Sequence, residues 1–346
     1  MSGSDGGVYR ALALQANCRA INDISDREAA RDRMAESIER LDRQIRSSKQ
    51  FIGPDCRLVV LPEYVLTGYP MGESIEEWSR KAAVSPDGPE YGMLGEIAAD
   101  NDLFLAGNVY ERDPHFPELY FQTDFVIDPS GEVILRYRRL HSMYTPTPFD
   151  IWDEYRQQYD LDDVFPVADT ELGRLASVAS AEILHPELVR CLAMRGAEVL
   201  VHPSSEPYSA RDTSRDIAKR ARAFENSMYV VSANTGGITG SPIPAASTDG
   251  GSKVIDHEGR VLTEAGPGES MAAYAAVDLP ALRRCRRRPG LENTLADQRF
   301  DLYAESYRDH EIYPANVLRD GPVERERFVG TQREAIDRLV DKGVFR

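Results

Sequence analysis

Residues 27–48 carry Ala30, Met34, Ile38, Leu41 and Ile45 at steps of four, four, three and four, which puts them on one face of an amphipathic helix. Residues 8–17 ahead of it alternate well enough for a strand. The run Leu58-Val59-Val60-Leu61 behind it is a short buried strand that feeds a loop at Pro62. The chain therefore opens strand, helix, strand, and an α/β fold is the expectation.

The remaining pattern extends that opening. A helix over 91–101 precedes strands over 103–110 and 120–127, and Asp128-Pro129-Ser130-Gly131 is turn chemistry leading into a strand over 133–139. Two strands joined by so tight a turn mean that the sheet is not purely parallel. Residues 140–166 are rich in Pro, Asp and Tyr without a clean period, and they read as a long loop of the lid type carrying Tyr144, Phe149, Trp152, Tyr155 and Tyr159. Strands over 175–179, 199–202 and 229–233 alternate with helices over 186–195 and 213–227. A hairpin over 253–265 and a strand over 271–278 follow. The expected organisation is a disordered start over 1–7, a domain over 8–288, and a charged, helix-prone extension over 289–346. That extension has little apolar surface for a core of its own, so it is expected to pack on the domain or on a partner subunit.

Charge and cysteine usage narrow the function classes. Asp and Glu number 57 against 41 Lys and Arg, a net charge of −16, and this disfavours nucleic acid and anionic membrane as partners. The basic run Arg283-Arg284-Cys285-Arg286-Arg287-Arg288 is local, and it reads as meeting acidic surface on a neighbouring subunit. No apolar run approaches the roughly 18 residues needed to span a bilayer. The first residues lack a basic stretch ahead of an apolar one, and the four cysteines form no CxxC pair, so neither a disulfide framework nor a zinc site is expected. A cytoplasmic protein without metal or cofactor is the expectation.

Motif searches for GxSxG, GxxxxGK[ST], HExxH and GxGxxG find nothing. The informative residues stand at strand ends. Glu63 in LPEYVLTGYP follows a buried run and lies close in sequence to Tyr64 and Tyr69, where burial would raise its pKa toward that of a general base. Its plainer reading is a loop-capping acid. Arg139 and His141 close a second strand in LRYRRLH. Ser180 and Glu182 close a third in ASVASAE, just ahead of His185 and a helix. A surface charge or a helix cap explains each singly, whereas three polar groups at three strand ends can also line one crevice.

These segments resemble the nitrilase, or carbon–nitrogen hydrolase, superfamily. The resemblance runs collinearly over residues 8–278 and rests on LPEYVLTGYP, LYFQTDFVIDPSGEVILRYRRLH, GRLASVASAEILHPELVRCLAMRGAEVLVHPSS, RARAFENSMYVVSANTGG and SKVIDHEGRVLTEAGPGE. It implies a four-layered αββα sandwich, pairing of subunits into a homodimer or larger homo-oligomer, and a Glu-Lys-Cys triad at the sheet ends. It also implies small amides, nitriles or N-carbamoyl compounds as substrates.

Glu63 matches the superfamily's base, but the lysine position holds Arg139 and the nucleophilic cysteine position holds Ser180. Cys191 lies eleven residues further on, inside a helix, and reads as a small core residue. A single cysteine-to-serine replacement would account for Ser180, but not for Arg139, nor for Ala181 and Glu182 where an aromatic and an Asp are usual. Arginine stays protonated and does not shuttle protons, and a serine hydroxyl needs a strong, aligned base to become a nucleophile. Three readings stay open: a hydrolase in which Ser180 attacks, an enzyme of altered chemistry without a covalent intermediate, and a silent homologue that binds a ligand or a partner. Tyr69, His141, Glu154, Glu182 and His185 are the expected supporting residues, with Glu154 standing in for a second carboxylate.

Overall fold

The computed structural model describes residues 7–319 and 323–346. The reading of residues 1–7 as disordered therefore falls, apart from Gly7, outside the described residues. The strands are β1 (Val8–Ala13), β2 (Cys18–Arg19), β3 (Cys56–Val60), β4 (Phe104–Asp113), β5 (Phe116–Ile127), β6 (Val133–Arg138) and β7 (Ala168–Thr170). They continue as β8 (Gly173–Ser177), β9 (Val199–Pro203), β10 (Tyr229–Ala233), β11 (Ile238–Thr239), β12 (Lys253–Ile255), β13 (Val261–Glu264) and β14 (Tyr274–Asp278). The helices are α1 (Arg27–Ile52), α2 (Ile75–Ala82), α3 (Pro89–Asp100), α4 (Trp152–Gln158) and α5 (Leu161–Val164), then α6 (Pro186–Met194), α7 (Ser214–Glu225), α8 (Leu279–Arg286), α9 (Phe300–Arg308) and α10 (Arg325–Asp341).

Among the described residues the strands form two six-stranded sheets, in the orders β14-β1-β3-β4-β5-β6 and β13-β12-β10-β9-β8-β7, and a two-stranded sheet β11-β2. Strands joined through helices pair in parallel (β1 with β3, β3 with β4, β8 with β9, β9 with β10), whereas those joined by tight turns pair antiparallel (β4 with β5, β5 with β6, β12 with β13). The period of two along each strand divides the interior into two cores. Leu12, Val59 and Leu105 face outward against Met34, Ile38, Leu41 and Ile45 of α1 and against Leu94 and Ile97 of α3. Ala11, Leu58 and Val60 face inward against Leu175, Val199 and Val201 of the second sheet, whose other side is covered by Leu188, Leu192 and Ala223 of α6 and α7. The order of layers is helix, sheet, sheet, helix. Each fully buried Leu or Ile contributes roughly 1.5–3 kcal/mol of transfer free energy.

One contact fixes how α3 meets the turn between β5 and β6. A Cβ on Gly95 would lie 2.6 Å from the Gly131 carbonyl oxygen, and Gly131 itself has φ +89°, so both positions require glycine.

Two expectations are corrected. Residues 140–166 hold a 3-10 turn (Pro148–Ile151), α4 and α5 rather than an open lid. Tyr155 is only 2% exposed and stacks on Phe116, because Trp152, Tyr155 and Tyr159 extend the first core, whereas Tyr144 is 65% exposed. The helix α2, with Trp78 fully buried, had no expected counterpart. The extension beyond 289 packs on the first core through Val317, Leu318 and Phe328. Among the described residues no helix is long and apolar enough to cross a membrane.

Candidate active site

Glu63 and Arg139 meet near the ends of β3 and β6, and Ser180, beyond β8, lies close enough to Glu63 to influence its carboxyl. Glu63 is the third residue beyond β3 and is held by its backbone N–H, which donates to the Ser204 carbonyl beyond β9 at 3.2 Å. Arg139 follows β6 directly, and its N–H donates to the Gln122 carbonyl of β5, one step past the ladder. The two adjacent arginines separate. The Arg138 guanidinium pairs with Asp113 at 2.5 Å and stacks on Tyr159, 4.5 Å from the ring centre, which leaves Arg139 to turn to the site. This is how α4 and the Tyr159 that follows it contribute to the site.

Arg139 is 11% exposed and makes a fork of contacts. Its Nη1 donates to Glu63 Oε1 at 3.2 Å, to Gln122 Oε1 at 2.7 Å and to Tyr64 Oη at 3.4 Å, and its Nε donates to the His141 carbonyl at 2.7 Å. Gln122 Nε2 also donates to Glu63 Oε1, at 2.6 Å. Glu63 is fully buried, so one of its oxygens is saturated while Oε2 has no hydrogen-bond partner. Burial pushes the Glu63 carboxyl above its ordinary value, against the opposing pull of Arg139 and of the neighbouring Tyr64, Gln122 and Ser180 side chains. Burial works against the Arg139 charge as well, but Tyr64, Glu63 and Glu182 hold its pKa above the usual arginine value.

Ser180 opens a 3-10 turn (Ser180–Leu184) with φ +48°, a left-handed conformation that costs a non-glycine residue on the order of 1 kcal/mol or more. It is 5% exposed. His202 of β9 fixes its backbone: Nε2 contacts the Ser180 carbonyl at 2.8 Å and Nδ1 contacts Ser232 Oγ at 2.8 Å. Burial, with Lys219 adding, lowers the His202 pKa to about 3, so the ring is neutral, with Nε2 the donor and Nδ1 accepting from Ser232.

Glu182 ties two strand ends together. Its Oε1 accepts from the backbone N–H groups of Leu140 and His141 at 2.7 and 2.9 Å, and its Oε2 accepts from Tyr137 Oη and the Ala179 N–H at 2.9 and 3.2 Å. Burial raises its pKa, opposed by Arg139 and by those donors. His141 and His185 stack face to face, ring centres 3.9 Å apart, and burial lowers His141 to about 4 and lowers His185. Tyr69 reaches the cluster through Tyr64, with ring centres 5.7 Å apart. Glu154 does not join it. Half-exposed on α4, it pairs with Arg319 at 3.0 Å, because the turn before α4 carries that face of the helix toward the C-terminal segment.

Tyr64, Gln122 and His202 were not singled out in the sequence. Gln122 left a usable signal, since in LYFQTDFVI it and Asp124 occupy one face of an otherwise apolar strand. His202 left none beyond a histidine in a buried strand.

Comparison with known proteins agrees with this architecture. The carbon–nitrogen hydrolase family profile matches residues 13–287. A probable nitrilase of Schizosaccharomyces pombe is 25% identical over 252 residues, which covers 72% of this chain and 85% of that protein. A formamidase of Bacillus thuringiensis is 30% identical over 208 residues, 59% of this chain and 58% of its own length. Among solved structures, a variant of the amidase from Nesterenkonia sp. AN1 shows covalent addition of the acetamide moiety of fluoroacetamide at its active-site cysteine. It superposes with a TM-score of 0.58 at 22% identity, covering 87% of this chain and 98% of that one. With the profile spanning most of its length, the chain belongs to the carbon–nitrogen hydrolase family.

Proposed function

We propose that this protein cleaves a carbon–nitrogen bond in a small amide, nitrile or N-carbamoyl compound through Glu63, Arg139 and Ser180, with no cysteine thioester. The observation that carries the reading is the unpartnered Oε2 of Glu63, a buried oxygen of raised pKa with Ser180 close enough to influence it. In this reading Ser180 Oγ attacks the substrate carbon while its proton passes to Glu63 Oε2. On an amide or N-carbamoyl substrate Arg139 holds the oxyanion as a fixed cation and Glu63 returns the proton to the departing amine; on a nitrile that proton goes to the nitrogen, giving a seryl imidate from which water later releases ammonia. Water then hydrolyses the seryl ester by the same base. Glu182, His141 and His185 support the strand ends, and Tyr69 borders the site through Tyr64.

The burial of Glu63 and Ser180, with the Arg139 side chain only 11% exposed, favours a second reading, in which the cluster is a closed salt-bridged core and the protein binds a ligand or partner without turnover. Ammonia release from a panel of short amides, nitriles and N-carbamoyl amino acids, followed with intact-protein mass spectrometry during turnover, separates the two. The first reading expects release with no adduct on any cysteine. An adduct on Cys18, Cys56, Cys191 or Cys285 contradicts it, and the absence of release together with measurable ligand binding supports the second.

We also propose a cytoplasmic homodimer or larger homo-oligomer. Its support is an exposed apolar strip on α6, α7 and α9: Met194, Ile217, Phe224, Leu302, Tyr303 and Tyr307, with Tyr307 Oη bonded to Glu187 of α6. An obligate interface of this kind buries more than roughly 2,000 Å². Light scattering at micromolar concentration is expected to give at least twice the chain mass, and a monomer contradicts the assignment.

A further inference from the structure

Beneath the site a row of polar side chains crosses the interior between the sheets. Asn108 of β4 stands opposite Asp124 of β5, and Asp124 stands opposite Tyr137 of β6, so the three share one face of the first sheet. Gln122 lies two residues before Asp124 on that face. Ser177 of β8 meets the row from the second sheet, and all five side chains are buried.

Their hydrogen bonds run in one direction. Arg139 Nη1 donates to Gln122 Oε1 at 2.7 Å, and Gln122 Nε2 donates both to Glu63 Oε1 at 2.6 Å and to Asn108 Oδ1 at 3.3 Å. Asn108 Nδ2 donates to Asp124 Oδ1 at 2.6 Å. Asp124 Oδ2 lies 2.5 Å from Ser177 Oγ, which lies 3.1 Å from the Val201 carbonyl oxygen of β9. Ser177 owns a single hydrogen. A carbonyl has none to give, and neither does an ionised carboxylate, so with Asp124 charged one of the two Ser177 contacts has no hydrogen in it. With a proton on Asp124 Oδ2 both contacts are hydrogen bonds: Asp124 donates to Ser177, and Ser177 donates to Val201.

We propose that Asp124 is a protonated carboxylic acid at neutral pH and a positioning residue. It anchors a one-way relay from Arg139 through Gln122 and Asn108 to Ser177 and Val201. The relay fixes the sense of the Gln122 amide. Reversed, that amide would set its oxygen against the Glu63 carboxylate and its nitrogen against the Arg139 guanidinium. Burial pushes the Asp124 carboxyl well above its ordinary value, and the carboxylates of Glu182 and Glu63 add to the rise, against hydrogen bonding from Ser177 and Asn108. Tyr137, its other cross-strand neighbour, turns its hydroxyl to Glu182. The catalytic consequence rests on Glu63 as the proton-handling group, whereas the hydrogen count does not.

The test is infrared difference spectroscopy of the full chain at pH 7, wild type against Asp124→Asn, together with the titration of Glu63 followed in the same spectra. Wild type is expected to show a protonated carboxyl stretch that Asp124→Asn lacks. Because the asparagine can still accept from Asn108 and donate to Ser177, this variant is expected to fold and to leave the Glu63 midpoint in place. Asp124→Leu breaks the relay and is expected to raise the Glu63 midpoint by about one unit. If Asp124→Leu does not fold, the asparagine variant decides alone. A wild-type spectrum with no band removed by Asp124→Asn overturns the proposal, as does a Glu63 midpoint that shifts in that conservative variant. Loss of the functional reading shows differently, as Glu63→Gln with unchanged turnover and the Asp124 band intact.

Discussion

Arg139 Nη1 lies 3.2 Å from Glu63 Oε1, yet the carboxyl still titrates above its ordinary range. The two effects oppose each other, and burial is the larger. An arginine this close would by itself keep an exposed carboxylate ionised. Here its pull only partly offsets burial, and the carboxyl stays above its ordinary value.

Arg139→Met is expected to leave Glu63 buried beside no guanidinium, to raise its pKa further, and to destabilise the fold by about 3–5 kcal/mol near pH 8. Because the folded pKa of Glu63 is already raised, its contribution to stability is full below the ordinary carboxylate range and is lost as pH rises through the folded value. Without Arg139 that loss extends to higher pH, so the gap between the variant and wild type widens from pH 5 to pH 8. Urea unfolding at the two values measures it. An equal gap at both means that Arg139 acts by packing alone.

The double change Ser180→Cys with Arg139→Lys puts a thiol beside a lysine at the turn that opens with φ +48°. Neighbouring cations lower a thiol pKa, whereas burial pushes Cys18 to about 12 and Cys56 to about 11 and also raises Cys191. One equivalent of iodoacetamide is therefore expected to add at position 180 before any native cysteine. Peptide mapping of the singly labelled protein reads the position. First labelling at another cysteine would mean that the strand ends are built for something other than a nucleophile.

The α/β order was legible because α1 carries a helical period and β3, β8 and β9 read as buried runs, while the four-layered sandwich was legible only through the resemblance carried by the long strand-end motifs. Glu63, Arg139 and Ser180 stood out as polar residues at the ends of three buried runs. Glu154 and the expected lid were misplaced because the segment over 140–166 has no period to read. Its Tyr155 and Tyr159 face Arg138 and the first core, a tertiary outcome that local pattern does not encode. Gln122, Asn108 and Asp124 form their network only through cross-strand register, so their roles appeared with the sheet.

Acid is expected to weaken the fold through its neutral buried histidine. His202 falls to about 3 in the folded chain, mainly because burial penalises the charged ring. The unfolded chain protonates it near pH 6.5, so its contribution is full above that value and is lost as pH falls toward 3. Glu63 acts in the opposite sense over this range. The melting temperature of His202→Asn measured from pH 7 to pH 4 should fall less steeply than that of wild type. An identical slope would place the acid sensitivity elsewhere.

The central claim is that Glu63 handles the proton while the rest of the site holds the substrate. Its most direct measurement is Glu63→Gln against wild type, comparing turnover of the best amide or nitrile substrate with affinity for that compound. Glutamine keeps the shape and the bond from Gln122 or Arg139 but cannot accept a proton. The account predicts that kcat falls by at least about 10²-fold, the scale of a lost general base, while Kd changes by less than about threefold. Turnover that survives the substitution, or turnover and affinity lost in equal measure, would contradict it.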